Sequence, residues 1–441
     1  MKPRNDALDE LRGMAILAMM LSGTIPFGVL ADWMYHAQSP PPTHQHNPSI
    51  PGITWVDLVF PTFLFAMGAA IPLAMRKAEF DARSVWKSLS RGCLLISFGV
   101  YIQHLRPYIL EKTPTTATWL TALLGFALAI PMFARLPEKW PKWTPYVVRA
   151  VGWGAAAGLL SRLRYVDGTG FQPDRADVII LVLATCAAVG GLIYLATKGK
   201  PMARLMVLLA LAAWRLAAES DNTWASASWW WERGVVGALA RPEFLGYLLV
   251  VIPGTFVGEA LSEEPGELNP WWGSLAVFLG FAAPILVVTV WFHRLSPLLF
   301  LPLGMMVFIT SGRERSIATI GAVCLALGTL IEPFQEGIKK DPPTFSYWLT
   351  GAGTAALILV ALMLLPAWKP RRLLATVGQN PMLAYIGITN LVAPLWALTL
   401  GAWIDKGYMT PQMGVVSAWA QTILLLLFVS LFSRFKIYLR T

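Results

Sequence analysis

Three of the chain's five histidines, His36, His44 and His46, lie within the stretch MYHAQSPPPTHQHNP at residues 34–48. Imidazole has an ordinary pKa near neutrality, so a histidine can accept a proton and return it at working pH. His36 follows an apolar segment by a few residues, which predicts a position at the membrane boundary, whereas His44 and His46 lie in a proline-rich loop. His36 is therefore the candidate for proton transfer, and a structural histidine is the alternative.

A carboxylate follows in the segment PGITWVDLVFPTFLF. Thr54 fits a helix N-cap and Asp57 then falls in the first turn, where the helix dipole favours a negative charge. Asp57 is also expected at the depth of His36, and a carboxylate beside a histidine fixes its tautomer and stabilises the imidazolium. The pattern therefore allows two interpretations, a catalytic pair or a helix cap beside a structural histidine.

Basic residues gather at the other end of these segments. In LDELRG, Asp9 and Arg12 are three residues apart and so share a helix face, which favours a simple ion pair. The alternative is that Arg12, with Arg76 and Lys77, forms a basic mouth for a phosphorylated cofactor. We add Asn380 of VGQNPMLAYIG to the candidate cofactor contacts, although an asparagine before a proline is also typical of a helix start.

Tryptophans are concentrated in WASASWWWERG at residues 224–234. Such rings commonly anchor a protein at the membrane interface, and the alternative is a platform on which a sugar ring stacks. Trp229 and Trp230, together with Trp55 and His46, are the candidate substrate contacts.

The elements that position these residues follow from composition. Of 441 residues, 56% are hydrophobic and 14% are charged, against about a quarter charged in an ordinary soluble domain. Apolar stretches of about 17 to 25 residues, the length that crosses a bilayer, recur from end to end. The sequence therefore predicts an all-α polytopic membrane protein with about 12 to 14 transmembrane helices. The candidate spans are residues 10–31, 54–75, 88–108, 117–134, 145–163, 178–197, 202–218, 243–261, 272–292, 296–311, 316–333, 345–366, 380–400 and 415–433.

The distribution of Lys and Arg predicts the orientation. Basic residues collect in alternate connections, which places both termini in the cytoplasm and the loop 31–53 on the outer side. Two short basic segments on the outer side, IKKD and SRLR, are exceptions. The first span is long and lacks a cleavage site, so we expect it to be a retained helix. The net charge of +10 comes from these short clusters, which argues against a nucleic-acid partner.

The chain lacks the sequence motifs of several well-known classes of protein. Cys93, Cys186 and Cys324 each lie inside an apolar span, so they are expected to be core residues and not disulfide partners or metal ligands. The chain has no phosphate-binding loop, HExxH, paired CxxC or GxSxG motif, and we expect no metal. No internal repeat is obvious, which disfavours a transporter built from two related halves.

Four blocks of sequence carry a resemblance to a known family. LDELRGMAILAMM, YHAQ, GITWVDLVFPTFLFAMGAAIPLAM and GQNPMLAYIG, in this order and spacing, resemble the heparan-alpha-glucosaminide N-acetyltransferase family, specifically its bacterial relatives. The first three blocks cover roughly the first eighty residues, and residues 140–330 match loosely. The family usually has an asparagine late in its first core helix, where this chain has Ser22 and Gly23, so no amide role is expected there.

The resemblance implies one transmembrane acyltransferase domain over residues 1–441, built on the family's core of about ten helices. Its parts would be N-terminal catalytic helices (1–134), a variable middle with extra helices (135–330) and C-terminal core helices (331–441). It implies transfer of the acetyl group of cytoplasmic acetyl-CoA to the amine of a terminal glucosamine or amino-sugar glycan across a membrane. A bacterial inner membrane, with the His36 loop facing the periplasm, is the expected location.

The same resemblance matches His36 to the family's catalytic histidine and Asp57 to the aspartate of the DLVFP block. Whether His36 acts as general base or accepts the acetyl group covalently stays open, because both need the same position. The pantetheine arm is expected to pass between helices loosened by Pro61, Gly68 and Pro72.

Two other functions remain as alternatives. In the first alternative, the protein is still an acetyltransferase, but the acceptor is a hydroxyl group of an exported polysaccharide. In the second, the protein is a sugar or proton-coupled transporter and His36 and Asp57 belong to a proton path; the chain has few of the midspan polar residues that such a path needs. A homodimer is left open.

Overall fold

The computed structural model describes residues 6–135, 141, 143–220, 223–293, 296–366, 369–401 and 410–439. These residues form α-helices joined by short connections, and no β-strand occurs among them. In chain order the helices are α1 Asp6–Thr24, α2 Trp55–Ala74, α3 Ala82–His104, α4 Pro107–Leu110, α5 Thr116–Phe133, α6 Thr144–Leu160, α7 Val178–Thr197, α8 Pro201–Ala217, α9 Trp224–Trp229, α10 Gly234–Leu239, α11 Leu248–Ala260, α12 Pro270–His293, α13 Ser296–Ile309, α14 Gly312–Ile331, α15 Phe345–Leu364, α16 Lys369–Gln379, α17 Pro381–Gly387, α18 Ala393–Trp396 and α19 Pro411–Arg434.

Within the described ranges, nine helical segments are long and apolar enough to cross a membrane. They are Trp55–Ala74, Thr116–Phe133, Val178–Thr197, Gly234–Ala260, Pro270–Thr289, Gly312–Gln335, Phe345–Leu364, Pro381–Thr399 and Gln412–Arg434. The chain is therefore an all-α integral membrane protein, as predicted.

Every span predicted from the sequence overlaps a helix of the structure. The predicted spans outside the nine segments correspond to α1, α3, α6, α8 and α13. Helices α1 and α3 begin with charged residues, and the other three are short for a span. The number of 12 to 14 crossings therefore stays a prediction.

Helix α2 is packed tightly against α11 through residues that lack a side chain. A β-carbon built on Gly258 would lie 2.3 Å from Ala69 O, and one built on Gly68 would lie 2.3 Å from Val251 O. Gly254 and Gly258, four residues apart, form one side of this contact. Such small-residue seams let helix backbones approach closely in membranes.

This packing corrects one expectation. Pro61, Gly68 and Pro72 were expected to loosen the helices around a passage, but all three lie at close contacts. Pro61 packs on Gly351, since a β-carbon built on Gly351 would lie 2.3 Å from the β-carbon of Pro61. Pro72 packs on Gly258 in the same way. The reason is that a missing or compact side chain permits a neighbouring helix to move closer when its shape matches.

Helix α16 is an element that hydropathy did not predict, because it lies between the predicted spans 345–366 and 380–400. It packs on α1, and a β-carbon on Gly378 would lie 1.8 Å from Asp9 O. The Arg371 guanidinium also pairs with the Glu10 carboxylate at 2.6 Å, and both groups are buried. This ion pair, together with the close backbone contact, fixes α16 against the first helix.

All three cysteines are free, but the expectation that each is a core residue holds for two of them and is wrong for Cys93. Cys186 and Cys324 are buried core residues, whereas Cys93 is exposed on α3.

Candidate functional site

The chain between α1 and α2 brings His36 back over the start of α2. Tyr35 organises this connection, because its hydroxyl accepts hydrogen bonds from Val29 N and Leu30 N, both at 2.8 Å, and donates to Pro26 O at 3.1 Å. The indole Nε1 of Trp55 donates to Met34 O at 2.8 Å. The two residues before His36 are therefore tied to the chain that follows α1 and to the start of α2.

His36 and Asp57, predicted as a pair, lie in contact. His36 Nε2 is 3.2 Å from Asp57 Oδ1, and the Asp57 side chain is 1% exposed while that of His36 is 25% exposed. A buried carboxylate therefore faces an imidazole that a ligand can reach.

The other carboxylate oxygen caps α2. Asp57 Oδ2 accepts hydrogen bonds from Thr54 N at 3.0 Å, from Thr54 Oγ1 at 3.0 Å and from Ala37 N at 3.2 Å. The two interpretations of Asp57 are thus compatible, since one oxygen stabilises the helix start and the other faces the histidine.

The tautomer of His36 follows from its second nitrogen. Gln38 N–H donates to His36 Nδ1 at 3.1 Å, so the neutral ring carries its proton on Nε2, toward Asp57. Burial lowers the pKa of His36 below its ordinary value, and Lys340 and His46 act in the same direction, while Asp57 partly opposes them. The neutral ring is therefore favoured at neutral pH.

The structure adds two residues that the sequence analysis missed, Lys340 and Asp341. Lys340 Nζ lies 3.9 Å from Asp57 Oδ1, the oxygen that faces His36. Asp341 Oδ2 lies 3.6 Å from Nε2 of His46. Both belong to the segment IKKD, an exception to the charge distribution expected of an outer loop, and that exception was the available signal.

Gln38 joins the His36 loop to this distant segment. Its buried amide donates from Nε2 to Asp341 O at 2.6 Å, and its Oε1 accepts from Asp341 N at 2.9 Å. Gly52 N also donates to Ile338 O at 2.7 Å. These bonds fix the turn before α15 against the loop.

A cavity of about 120 Å³ borders the same turn. Its lining combines aromatic rings with both signs of charge: Trp229, Trp230, Phe244, Tyr247, Trp348, Arg215, Glu243 and Asp341, with Val178, Val182, Pro342 and Pro343. Trp229 and Trp230, predicted to contact substrate, thus share a cavity with Asp341. Asp341 lies 3.6 Å from His46. His46 in turn lies against His36, with ring centroids 6.4 Å apart.

Of the residues predicted to hold a cofactor, Arg12 is bonded within the protein, whereas Arg76 and Lys77 are exposed. Arg12 donates to Asp9 Oδ1 at 2.9 Å and to Ala66 O at 3.0 Å, which is the expected ion pair with an added contact to α2. Arg76 and Lys77 are exposed just beyond the far end of α2. They remain available to an anionic ligand.

Asn380 is buried and holds the C-terminal segment. Its Nδ2 donates to Ile437 O at 2.8 Å, and its Oδ1 accepts from Leu439 N at 3.1 Å. These contacts explain Asn380 without a ligand.

The described part of the chain contains no group of three or more His, Cys, Asp or Glu residues arranged to hold a metal ion. The comparison with curated proteins finds no match. Residues 4–261, more than half of the chain, match the family described as "Domain of unknown function (DUF5009)". The match covers His36, Asp57, Trp229 and Trp230. The chain therefore belongs to the DUF5009 family.

Proposed function

We propose that this protein is a membrane acetyltransferase that moves the acetyl group of cytoplasmic acetyl-CoA to the amine of an amino sugar on the outer side, in a bacterial inner membrane. The observation that carries the proposal is the 3.2 Å contact of His36 with the buried Asp57. A tryptophan-lined cavity supports it, because its lining includes Asp341, the neighbour of His46. The blocks that resemble the glucosaminide acetyltransferases support the choice of acyl donor.

The arrangement suits removal of a proton from an amine. An ammonium group must lose a proton before its nitrogen can attack the thioester carbonyl, and His36 accepts that proton at Nδ1 once the contact with Gln38 N–H opens. Nε2 keeps its proton toward Asp57, whose charge stabilises the imidazolium. The attack forms the amide bond as the C–S bond breaks, and His36 returns its proton to the leaving thiolate. The nitrogen releases its second proton to water, which leaves the neutral amide.

The cavity favours an amino sugar over a neutral acceptor. Trp230 offers an indole for the C–H face of a sugar ring, and Glu243 and Asp341 carry carboxylates for a cationic substituent. Arg215 adds a cation to the same lining, and Arg241 lies 3.4 Å from Glu243, so Asp341 is the carboxylate best placed for this contact. A hydroxyl acceptor would use the aromatic surface but not these charges. This difference is the reason to place nitrogen before oxygen as the acetyl acceptor.

At the end of α2 opposite His36, two of the four residues predicted to hold acetyl-CoA, Arg76 and Lys77, are placed to bind it. Bound there, it would supply the activated acetyl group. Arg76 and Lys77 carry exposed cationic groups that can hold its phosphates. They follow α2, whose 20 residues extend about 30 Å at 1.5 Å per residue, so the donor must reach across the membrane to the His36 end.

The test is release of CoA by the purified protein in detergent, given acetyl-CoA with or without glucosamine. We expect glucosamine to stimulate release, and we expect His36→Ala to lower the stimulated rate by about 10² to 10⁴, the usual contribution of a general base. Asp57→Asn should also lower the rate, because the amide still accepts hydrogen bonds at the helix start but no longer stabilises the imidazolium.

His44 provides a matched control in the same loop. Its ring stacks on Phe27, with centroids 3.9 Å apart, and its φ of 51° is tolerated by asparagine. We expect His44→Asn to keep the rate. Full activity in His36→Ala would refute the proposal, and a response to glucose equal to that of glucosamine would assign a hydroxyl acceptor. Uptake of unchanged labelled sugar into liposomes, without CoA release, would indicate a transporter.

A further inference from the structure

We propose that Lys340 is a positioning residue that keeps His36 neutral by supplying the positive charge that the buried Asp57 carboxylate requires. The effect of this charge on the rate rests on the proposed acetyl transfer. The electrostatic relation between Lys340, Asp57 and His36 does not, and it can be measured without any substrate.

The geometry places two groups against one oxygen. Asp57 Oδ1 lies 3.2 Å from His36 Nε2 and 3.9 Å from Lys340 Nζ. Oδ1 is buried and accepts no aligned hydrogen bond from the residues that the structure describes. The charge on this oxygen is therefore balanced by whichever of the two neighbours is cationic.

Lys340 is held at this place by its backbone and not only by its charge. Gln38 makes two hydrogen bonds to the neighbouring Asp341 backbone, and Thr344 N donates to Lys339 O at 3.0 Å across the same turn. Helix α15 follows, and Tyr347 Oη donates to Asp57 O at 3.1 Å. The turn that carries Lys340 is thus bonded to both sides of the pair.

Electrostatics then decides which neighbour carries the proton. A carboxylate buried without a counter-charge is strongly disfavoured. With Lys340 charged, Asp57 is already compensated and His36 can stay neutral and accept a proton. Without Lys340, the carboxylate favours the imidazolium, which has no lone pair to offer an ammonium group.

The other charged groups that face His36 are His46 and Asp341. The two carboxylates, Asp57 and Asp341, raise the pKa of His36. Lys340 lowers this pKa, and a positive charge on His46 would lower it as well. His46 and Asp341 are near each other, with Nε2 and Oδ2 3.6 Å apart, and their opposite effects partly cancel. Lys340 is therefore the group whose removal should change the balance most.

The experiment is an NMR titration of the histidines in the full chain in lipid nanodiscs, with the His36 signal assigned from its loss in His36→Gln. We expect Lys340→Met to raise the His36 midpoint by about one pH unit, a tenfold change in the ratio of neutral to protonated ring. Lys340→Arg should keep the midpoint of the unchanged protein. Lys339→Met is the matched control, because Lys339 Nζ pairs with Glu336 at 3.3 Å and should not affect His36.

Lys340→Gln is a second uncharged variant whose amide suits a side chain that is 28% exposed. A His36 midpoint that stays unchanged in either folded, uncharged variant overturns the proposal. A shifted midpoint in a protein that never releases CoA would uphold Lys340 and refute the proposed function instead. If both hold, the acid limb of the acetyl-transfer rate should move to higher pH with the titration midpoint.

Discussion

At the scale of single residues, Asp57 shows how one carboxylate serves two purposes. The sequence presented a helix cap and a partner of histidine as alternatives, because Asp57 lies in the first turn of a span that begins beside the His36 loop. The structure assigns Oδ2 to the cap and Oδ1 to His36. The geometry of the His36–Asp57 pair therefore depends on the same turn that starts α2, so movement of the helix start would move the carboxylate.

The first prediction at this scale concerns pH. His36 must be neutral to accept a proton, and its pKa lies below the ordinary value of about 6.5 chiefly because burial disfavours the imidazolium. We expect kcat for acetyl transfer to decline as the pH falls, with its midpoint below about 6.5, because protonation of His36 follows the lowered pKa.

The measurement is the rate of CoA release at saturating acetyl-CoA and acceptor, since ionisation of the free sugar then does not set the midpoint. A midpoint above pH 7 would contradict a neutral His36 as the proton acceptor. It would indicate instead that the imidazolium, stabilised by Asp57, is the resting form.

At the scale of elements, the close contact of α2 with α11 holds the helix that carries Asp57. Gly68, Gly254 and Gly258 allow the two backbones to touch, and prolines of α2 fill matching positions on its neighbours. In the proposed acetyl transfer, such packing would keep Asp57 in place beside His36, because small displacements of a reacting group are costly in rate.

We therefore expect Gly258→Leu to destabilise the protein by roughly 1–3 kcal/mol, as overpacking does elsewhere. Its side chain would begin 2.3 Å from Ala69 O and would push α11 away from α2. The readout is the thermal unfolding midpoint of the purified protein, followed by intrinsic tryptophan fluorescence.

Gly154→Leu is the matched control, because a β-carbon at that position of α6 meets nothing within 4 Å. An equal loss of stability in the two variants would show that the leucine itself, and not the α2–α11 contact, is responsible.

At the scale of the whole molecule, segments far apart in the chain meet at one end. Gln38 bonds the His36 loop to Asp341, and the cavity joins that turn to Trp229 and Trp230. At the other end of α2, Lys198 Nζ donates to Arg76 O at 2.8 Å. The segments that carry Lys198 and Arg76 therefore meet at the end of α2 opposite the His36 loop. Which of the two ends faces the cytoplasm stays a prediction.

Cysteine labelling in intact cells tests that orientation. In a chain whose three cysteines are replaced by serine or alanine, we expect Gln45→Cys to react with a membrane-impermeant maleimide added outside. Glu79→Cys should react only after the membrane is permeabilised, because it follows α2 at the opposite end. Both positions are exposed, so the reverse pattern of labelling would invert the proposed topology.

The sequence by itself determined the class of the protein and the places of its apolar helices, and it offered the His36–Asp57 pair as one of two interpretations. Hydropathy suffices for the spans, because backbone polar groups inside a bilayer must be satisfied within helices that are apolar over a fixed length. The pair was predictable because both residues flank the same short loop. A contact between the ends of consecutive spans needs no knowledge of how distant helices pack.

The tertiary structure alone decided the rest. Lys340 reaches Asp57, and Gln38 binds Asp341 across 303 positions of the chain, only because α15 packs against α2. The same is true of the glycine seam and of the Asn380 side chain: Asn380 stands at the N-cap position of α17, as its sequence indicates, but its amide binds the C-terminal segment. Hydropathy identifies the apolar sides of a helix, but in a membrane the side that faces lipid and the side that packs on another helix are both apolar. It therefore leaves open which helices become neighbours, and with them which loop residues meet.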